Sequence, residues 1–94
     1  AAAILAARAA GCSPDAVDRG LRDFTPLAHR MAVVGKRDGV TYINDSKATN
    51  TGAVISDLDG LPGKAVLIAG GRDKGEDYTL MREVVERKVR KLLL

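Results

Sequence analysis

Apolar positions fall along the chain in short blocks, and their spacing changes from block to block. Residues 1–10 are nearly all Ala, with Ile4, Leu5 and one polar side chain, Arg8. Such a composition favours helix and leaves almost no polar face, so it predicts a helix packed away from water. Gly11 stops it. Ser13-Pro14-Asp15 opens a second helix, with a hydroxyl as cap, Pro at the first helical position and an acid in the first turn. The pattern carries that helix to about Leu21. From Phe24 to Arg30 the periodicity is lost around Pro26, and the stretch reads as a linker.

Strand-like runs follow at Met31-Ala32-Val33-Val34-Gly35 and Val40-Thr41-Tyr42-Ile43, and Asp38-Gly39 between them signals a tight hairpin turn. Helical spacing returns at Ala53, Val54, Ile55, Leu58 and Leu61, closed off by Gly60, Pro62 and Gly63. Ala65-Val66-Leu67-Ile68-Ala69 is a continuous apolar run of the kind buried on both faces of a parallel sheet. Residues 70–75 form a polar loop, Leu80, Val84 and Val85 mark a helix that ends in Arg87-Lys88, and Val89 begins a fourth strand. From residue 40 onward the order strand, helix, strand, helix, strand predicts an α/β chain built on an open sheet with right-handed crossovers.

Composition narrows the function classes. Ninety-four residues make one small domain or a piece of a larger one. With no Met at the start and an apolar Leu92-Leu93-Leu94 at the end, the chain is expected to be a piece. One Phe, two Tyr, no Trp and a net charge of only +3 argue against a nucleic-acid partner, because bases would find little to stack on and phosphates only a weak field. Cys12 stands alone, which rules out an internal disulfide, and with His29 as the single histidine a zinc site is not expected. Cys12 reads as structural. No apolar run approaches the ~20 residues of a membrane span, and the start lacks the basic residues of a signal peptide. A cytoplasmic protein with no membrane partner is the expectation.

Two polar clusters carry the candidate chemistry. Asn44-Asp45-Ser46-Lys47-Ala48-Thr49-Asn50 follows one strand and precedes a helix, and Gly70-Gly71-Arg72-Asp73-Lys74-Gly75 does the same one unit later. In open α/β sheets that edge gathers ligands, because loops and positive helix N-termini converge there. Lys47 and Lys74 supply cationic donors and Ser46 and Thr49 hydroxyls, while the helix starting near Thr51 is expected to aim free amides at a phosphate or carboxylate. Asp45 suits the hydroxyls of a ribose, or a simple turn and cap with Asn44. The pattern is that of a nucleotide together with a carboxylate ligand. Neither Gly60-Leu61-Pro62-Gly63-Lys64-Ala65 nor the glycine-rich loop at 70–75 meets a phosphate-loop pattern, so a main triphosphate cradle would lie elsewhere.

The segments "PLAHRM", "YINDSKATNTGA" and "LIAGGRDKGEDY", in this order and spacing, resemble the Mur ligases, and among them the branch that adds D-glutamate. The resemblance implies an ATP-dependent amide ligase of peptidoglycan precursor synthesis, and hence of cell-wall growth, cell shape and division. It implies three domains, the last of them Rossmann-like. Residues 1–27 resemble the terminal helices of the central ATPase domain and residues 28–94 the N-terminal part of the C-terminal domain. The implied substrates are UDP-N-acetylmuramoyl-L-alanine, D-glutamate and ATP with Mg²⁺, the principal binding elements for ATP and the metal lying outside this stretch. ATP would convert the substrate carboxylate into an acyl phosphate, which the amine of D-glutamate attacks, expelling phosphate.

Carried over by resemblance, Arg30 reaches the terminal phosphate on closure with His29 beside it. Asp45, with Asn44, lies at the nucleotide. Lys47 and Thr49 lie near the phosphates and the incoming glutamate, and Lys74 pairs with a glutamate carboxylate. No metal ligand is assigned. Ala32 stands where relatives commonly carry Glu. Without the resemblance, His29 and Arg30 read as solvated linker residues, and Arg87 to Lys91 as a helix end with cations against its dipole. The competing function is a free-standing Rossmann-like module that binds a nucleotide or anion without chemistry.

Overall fold

The structure, a computed structural model, describes residues 2–94. Helix α1 (Ala2–Ala9) ends in a Schellman turn, with Gly11 at φ +87° and the amides of Gly11 and Cys12 returning to the carbonyls of Arg8 and Ala7. Helix α2 (Pro14–Asp23) starts as expected: the Ser13 hydroxyl accepts from the Ala16 amide at 3.2 Å, with Pro14 in the first turn. It runs to Asp23, past the expected end at Leu21, and Arg22 and Asp18 pair across its last turn at 2.8 Å. Residues 24–31 form no regular element.

Strands β1 (Ala32–Arg37) and β2 (Val40–Asn44) pair antiparallel, with Arg37 opposite Val40 and a bulge between Val33 and Gly35. The turn between them has Asp38 at φ +49° and Gly39 at φ +77°, the two left-handed residues of a type I′ hairpin turn. Helix α3 (Thr51–Asp59) leads to β3 (Ala65–Ile68). A 3₁₀ turn (Tyr78–Met81) runs into helix α4 (Arg82–Lys88), which passes directly into β4 (Val89–Leu93). Strand β4 lies parallel to β3, with Ala65 opposite Val89 and Ile68 opposite Leu93.

The α/β order holds, but a single open sheet does not form: among the described residues β1–β2 and β3–β4 are two separate two-stranded sheets. Alternation along a chain says that strands and helices will layer; it does not say which strands become neighbours. Strand β3 is not covered on both faces either. Ala65 and Leu67 are half-buried, while Val66 is 55% and Ile68 79% exposed. Helix α1, expected to pack in a core or against a neighbouring domain, is exposed over most of its apolar length, Leu5 included, with Ala7 half-buried.

Only Leu58 of α3 and Val84 of α4 are buried among the described residues, at 5% and 2% exposure. They belong to the block in which α3, the 3₁₀ turn and α4 pack together. Lys88 Nζ closes that block by donating to the Leu61 carbonyl at 2.6 Å, and Arg87 pairs with Asp59 at 2.7 Å. The radius of gyration is 16.3 Å, against about 12 Å for a compact domain of this length. The apolar face of β3 and the polar ends of β2 and β3 therefore border one open cleft of ≈ 2010 Å³.

Candidate functional site

The turn after β2 is built by its own side chains. Asn44 Oδ1 accepts the Ser46 amide at 3.1 Å, and the Asp45 carbonyl accepts the Ala48 amide at 2.9 Å. Lys47 occupies the tip of this turn, where both of its backbone groups are used: its amide donates to the His29 carbonyl and its carbonyl accepts from Thr49, each at 2.9 Å. Its side chain is exposed and has no hydrogen-bond or ion-pair partner among the described residues.

His29 and Met31 flank Arg30 in the linker, with φ of +64° and +45°. Left-handed backbone at non-glycine residues costs on the order of 1–2 kcal/mol each and persists only where neighbours hold it. Three contacts from the β2–α3 loop do so. Asp45 Oδ1 accepts the Met31 amide at 2.9 Å, Lys47 donates to His29, and Asn44 Nδ2 meets His29 Nδ1 at 3.0 Å. With Asn44 Oδ1 engaged by Ser46, its amide nitrogen is the donor here, which leaves the ring proton of His29 on Nε2. Linker and loop are thus sewn together, although they lie some fifteen residues apart in sequence.

The second cluster reaches the first through a residue that sequence reasoning did not single out. Glu76 Oε2 accepts the Thr51 amide at 2.6 Å, in the first turn of α3. Asn50 caps the same helix, taking the Ala53 amide on Oδ1 at 2.8 Å. The expectation that α3 presents free amides to an anion is corrected on this point, because these two donors are occupied by the protein's own oxygens. A carboxylate at that end is also favoured by the helix dipole. Alanine at position 76 is expected to cost about 1.5–3 kcal/mol of local stability, read as faster hydrogen exchange at Thr51; Glu76→Gln, which keeps an acceptor, should lose less.

Lys74 is exposed, with no side-chain partner among the described residues. The loop around it is shaped by Asp73, whose Oδ1 accepts from the Gly75 amide and the Tyr78 hydroxyl, each at 2.9 Å. Those bonds hold the Asp73 carboxyl below its usual range, so the loop gains order above that range and loses it as pH falls.

Asn44, Asp45, Ser46, Thr49 and Lys74 all border the cleft, whereas His29, Arg30 and Lys47 stand at the adjoining turn. At ≈ 2010 Å³ the cleft exceeds an ordinary ligand pocket of about 300–1,000 Å³ and takes in apolar sheet faces as well, so it is an uncovered interior with a polar rim. Asp57 of α3, a residue outside the motifs, also borders it. Burial, followed by the adjacent Asp45 carboxylate, pushes the Asp57 carboxyl above its ordinary value, while Arg30 pulls the other way. No group of three metal-ligating side chains occurs among the described residues, and none of their helices is long and apolar enough to cross a membrane.

Asp57 carries no motif signal, and Glu76, although it stands inside the LIAGGRDKGEDY segment, was given no role there. Asn50 does, since an Asn directly before a helical block is a standard cap.

No protein-family profile matches the chain. Curated proteins do. Over 93 residues, 99% of the chain, it is 53% identical to the UDP-N-acetylmuramoylalanine–D-glutamate ligase of Desulfotalea psychrophila, covering 20% of that protein. Over 88 residues, 94% of the chain, it is 50% identical to the ligase of the same name from Chlorobium limicola, covering 19% of it. The ligase of Bdellovibrio bacteriovorus is 46% identical over 93 residues, 99% of the chain and 20% of that protein. The chain therefore spans about a fifth of the length of the curated relatives it matches.

Proposed function

From a chain related over nearly its whole length to one segment of the D-glutamate-adding Mur ligases, we propose that it serves as part of such an enzyme, joining D-glutamate to UDP-N-acetylmuramoyl-L-alanine at the expense of ATP. In this reading residues 1–27 close the central ATPase domain. Residues 28–94 open a Rossmann-like C-terminal domain, whose remaining strands would cover the exposed faces of β2 and β3.

The observation that carries the reading beyond the relatives' names is the Glu76–Thr51 bond. It ties the segment following Lys47 and Thr49 to the segment following Lys74; Lys74 lines the cleft and Lys47 stands at the turn beside it. The reaction needs charge neutralised as a carboxylate takes up a phosphoryl group, and again as phosphate departs. Lys47, pinned through its backbone with a free ammonium, suits the phosphoryl oxygens, with Arg30 approaching from the linker and His29 beside it. Thr49 and Lys74 suit the carboxylates of D-glutamate. Asn44 and the remaining lone pairs of Asp45 suit the nucleotide. Mg²⁺, when bound, would neutralise phosphate charge; its ligands are assigned to other parts of the enzyme.

The test is phosphate release from ATP by the full-length protein, with UDP-N-acetylmuramoyl-L-alanine present and D-glutamate added or withheld. Release that depends on D-glutamate supports the ligase. ATP binding without release under any substrate combination would favour the binding module, and the 94-residue chain alone is expected to be silent.

A further inference from the structure

Asp57 projects from the last turn of α3, where nothing in the proposed reaction requires an acid. Its Oδ2 is shut off from water and has no donor among the described residues. The charged groups facing it are the Asp45 carboxyl, within hydrogen-bonding reach, and the Arg30 guanidinium. Two carboxylates have no hydrogen to offer each other, and buried polar atoms seldom go without one. A shared proton resolves both problems, and the positive Arg30 alongside disfavours a metal ion in its place.

The other end of this contact is already engaged, since Asp45 Oδ1 accepts the amide of Met31, the second of the two left-handed residues in the linker. We propose that Asp57 is a positioning residue: its carboxyl shares one proton with that of Asp45, and the pair locks the linker turn at 29–31 to the loop that carries Lys47. With the proton present, Asp45 is held from both sides. Once it is lost, two like charges face each other and Asp45 swings away, releasing Met31 to extended backbone and Lys47 from His29.

The sign follows from the proton. Because Asp57 takes it up more readily in the folded protein than its ordinary value allows, the lock is complete at acid pH and weakens as pH rises through the raised value. An amide at position 57 would donate to Asp45 at every pH.

Hydrogen exchange at the Met31 and Lys47 amides of the full-length protein, corrected for intrinsic rates and followed between about pH 4 and 8, tests the lock. No substrate is present, so the outcome is independent of the reaction proposed above. In the unmodified protein, protection of both amides should be progressively lost as pH rises. Asp57→Asn should hold protection flat across the range, and Asp57→Ala should lower it throughout. An Asp57→Asn variant with the same pH profile as the unmodified protein overturns the proposal. So does an Asp57→Ala variant that is folded and keeps full protection; if that variant does not fold, the comparison with Asp57→Asn decides alone.

Discussion

In the ligase reaction proposed above, alanine at position 47 is expected to lower D-glutamate-dependent phosphate release by about a hundredfold to a thousandfold, the range for removing one preorganised donor to developing charge. The structure makes this a clean substitution. The Lys47 backbone is tied to His29 and Thr49 in bonds that alanine retains, and its side chain is exposed with no partner among the described residues to orphan. Stability of the full-length protein should therefore move by no more than about 0.5 kcal/mol. Steady-state phosphate release and a urea unfolding curve on the same preparation separate the two quantities. Lys47→Arg keeps the charge but changes its shape and reach, and should recover only part of the rate. An alanine variant that turns over at the original rate would remove Lys47 from the site.

The second large effect concerns stability. Leu58→Ala should cost about 2–5 kcal/mol, as for other buried leucines cut to alanine. Leu58 is 5% exposed and, with Val84, forms the buried centre where α3 and α4 meet. A typical domain has a margin of only about 5–15 kcal/mol, so the loss is a large share of it. A lower urea midpoint at unchanged slope is the expected reading. Because α3 also carries Thr51 at the Glu76 contact and Asp57 beside Asp45, activity should fall with the folded fraction and not before it.

The local elements were legible because each follows from residues close together in sequence. The Ser13-Pro14-Asp15 start, the Asp38-Gly39 turn and the Gly11 stop need only a few adjacent φ and ψ preferences, and all three stand where the pattern put them. The two polar clusters at strand ends were legible in the same way. Burial was not, since an apolar run such as Val66 to Ile68 states what it would gain from cover without stating whether cover is present. The helix α3 amides misled for a related reason, because a distant Glu76 can satisfy them as well as a ligand can.

The sequence by itself determined the order and type of the elements, the strand-end position of Lys47, Thr49 and Lys74, and the kinship to D-glutamate-adding ligases, since all of these reside in neighbouring residues or in motif identity. Tertiary structure alone decided which strands pair, that the linker is sewn to the β2–α3 loop, that Glu76 bridges the two loops, and that Asp57 faces Asp45. Each of these is a meeting of residues from separate elements, and the energy of such a meeting depends on a distance and on the exclusion of water, neither of which is a property of any short stretch of chain.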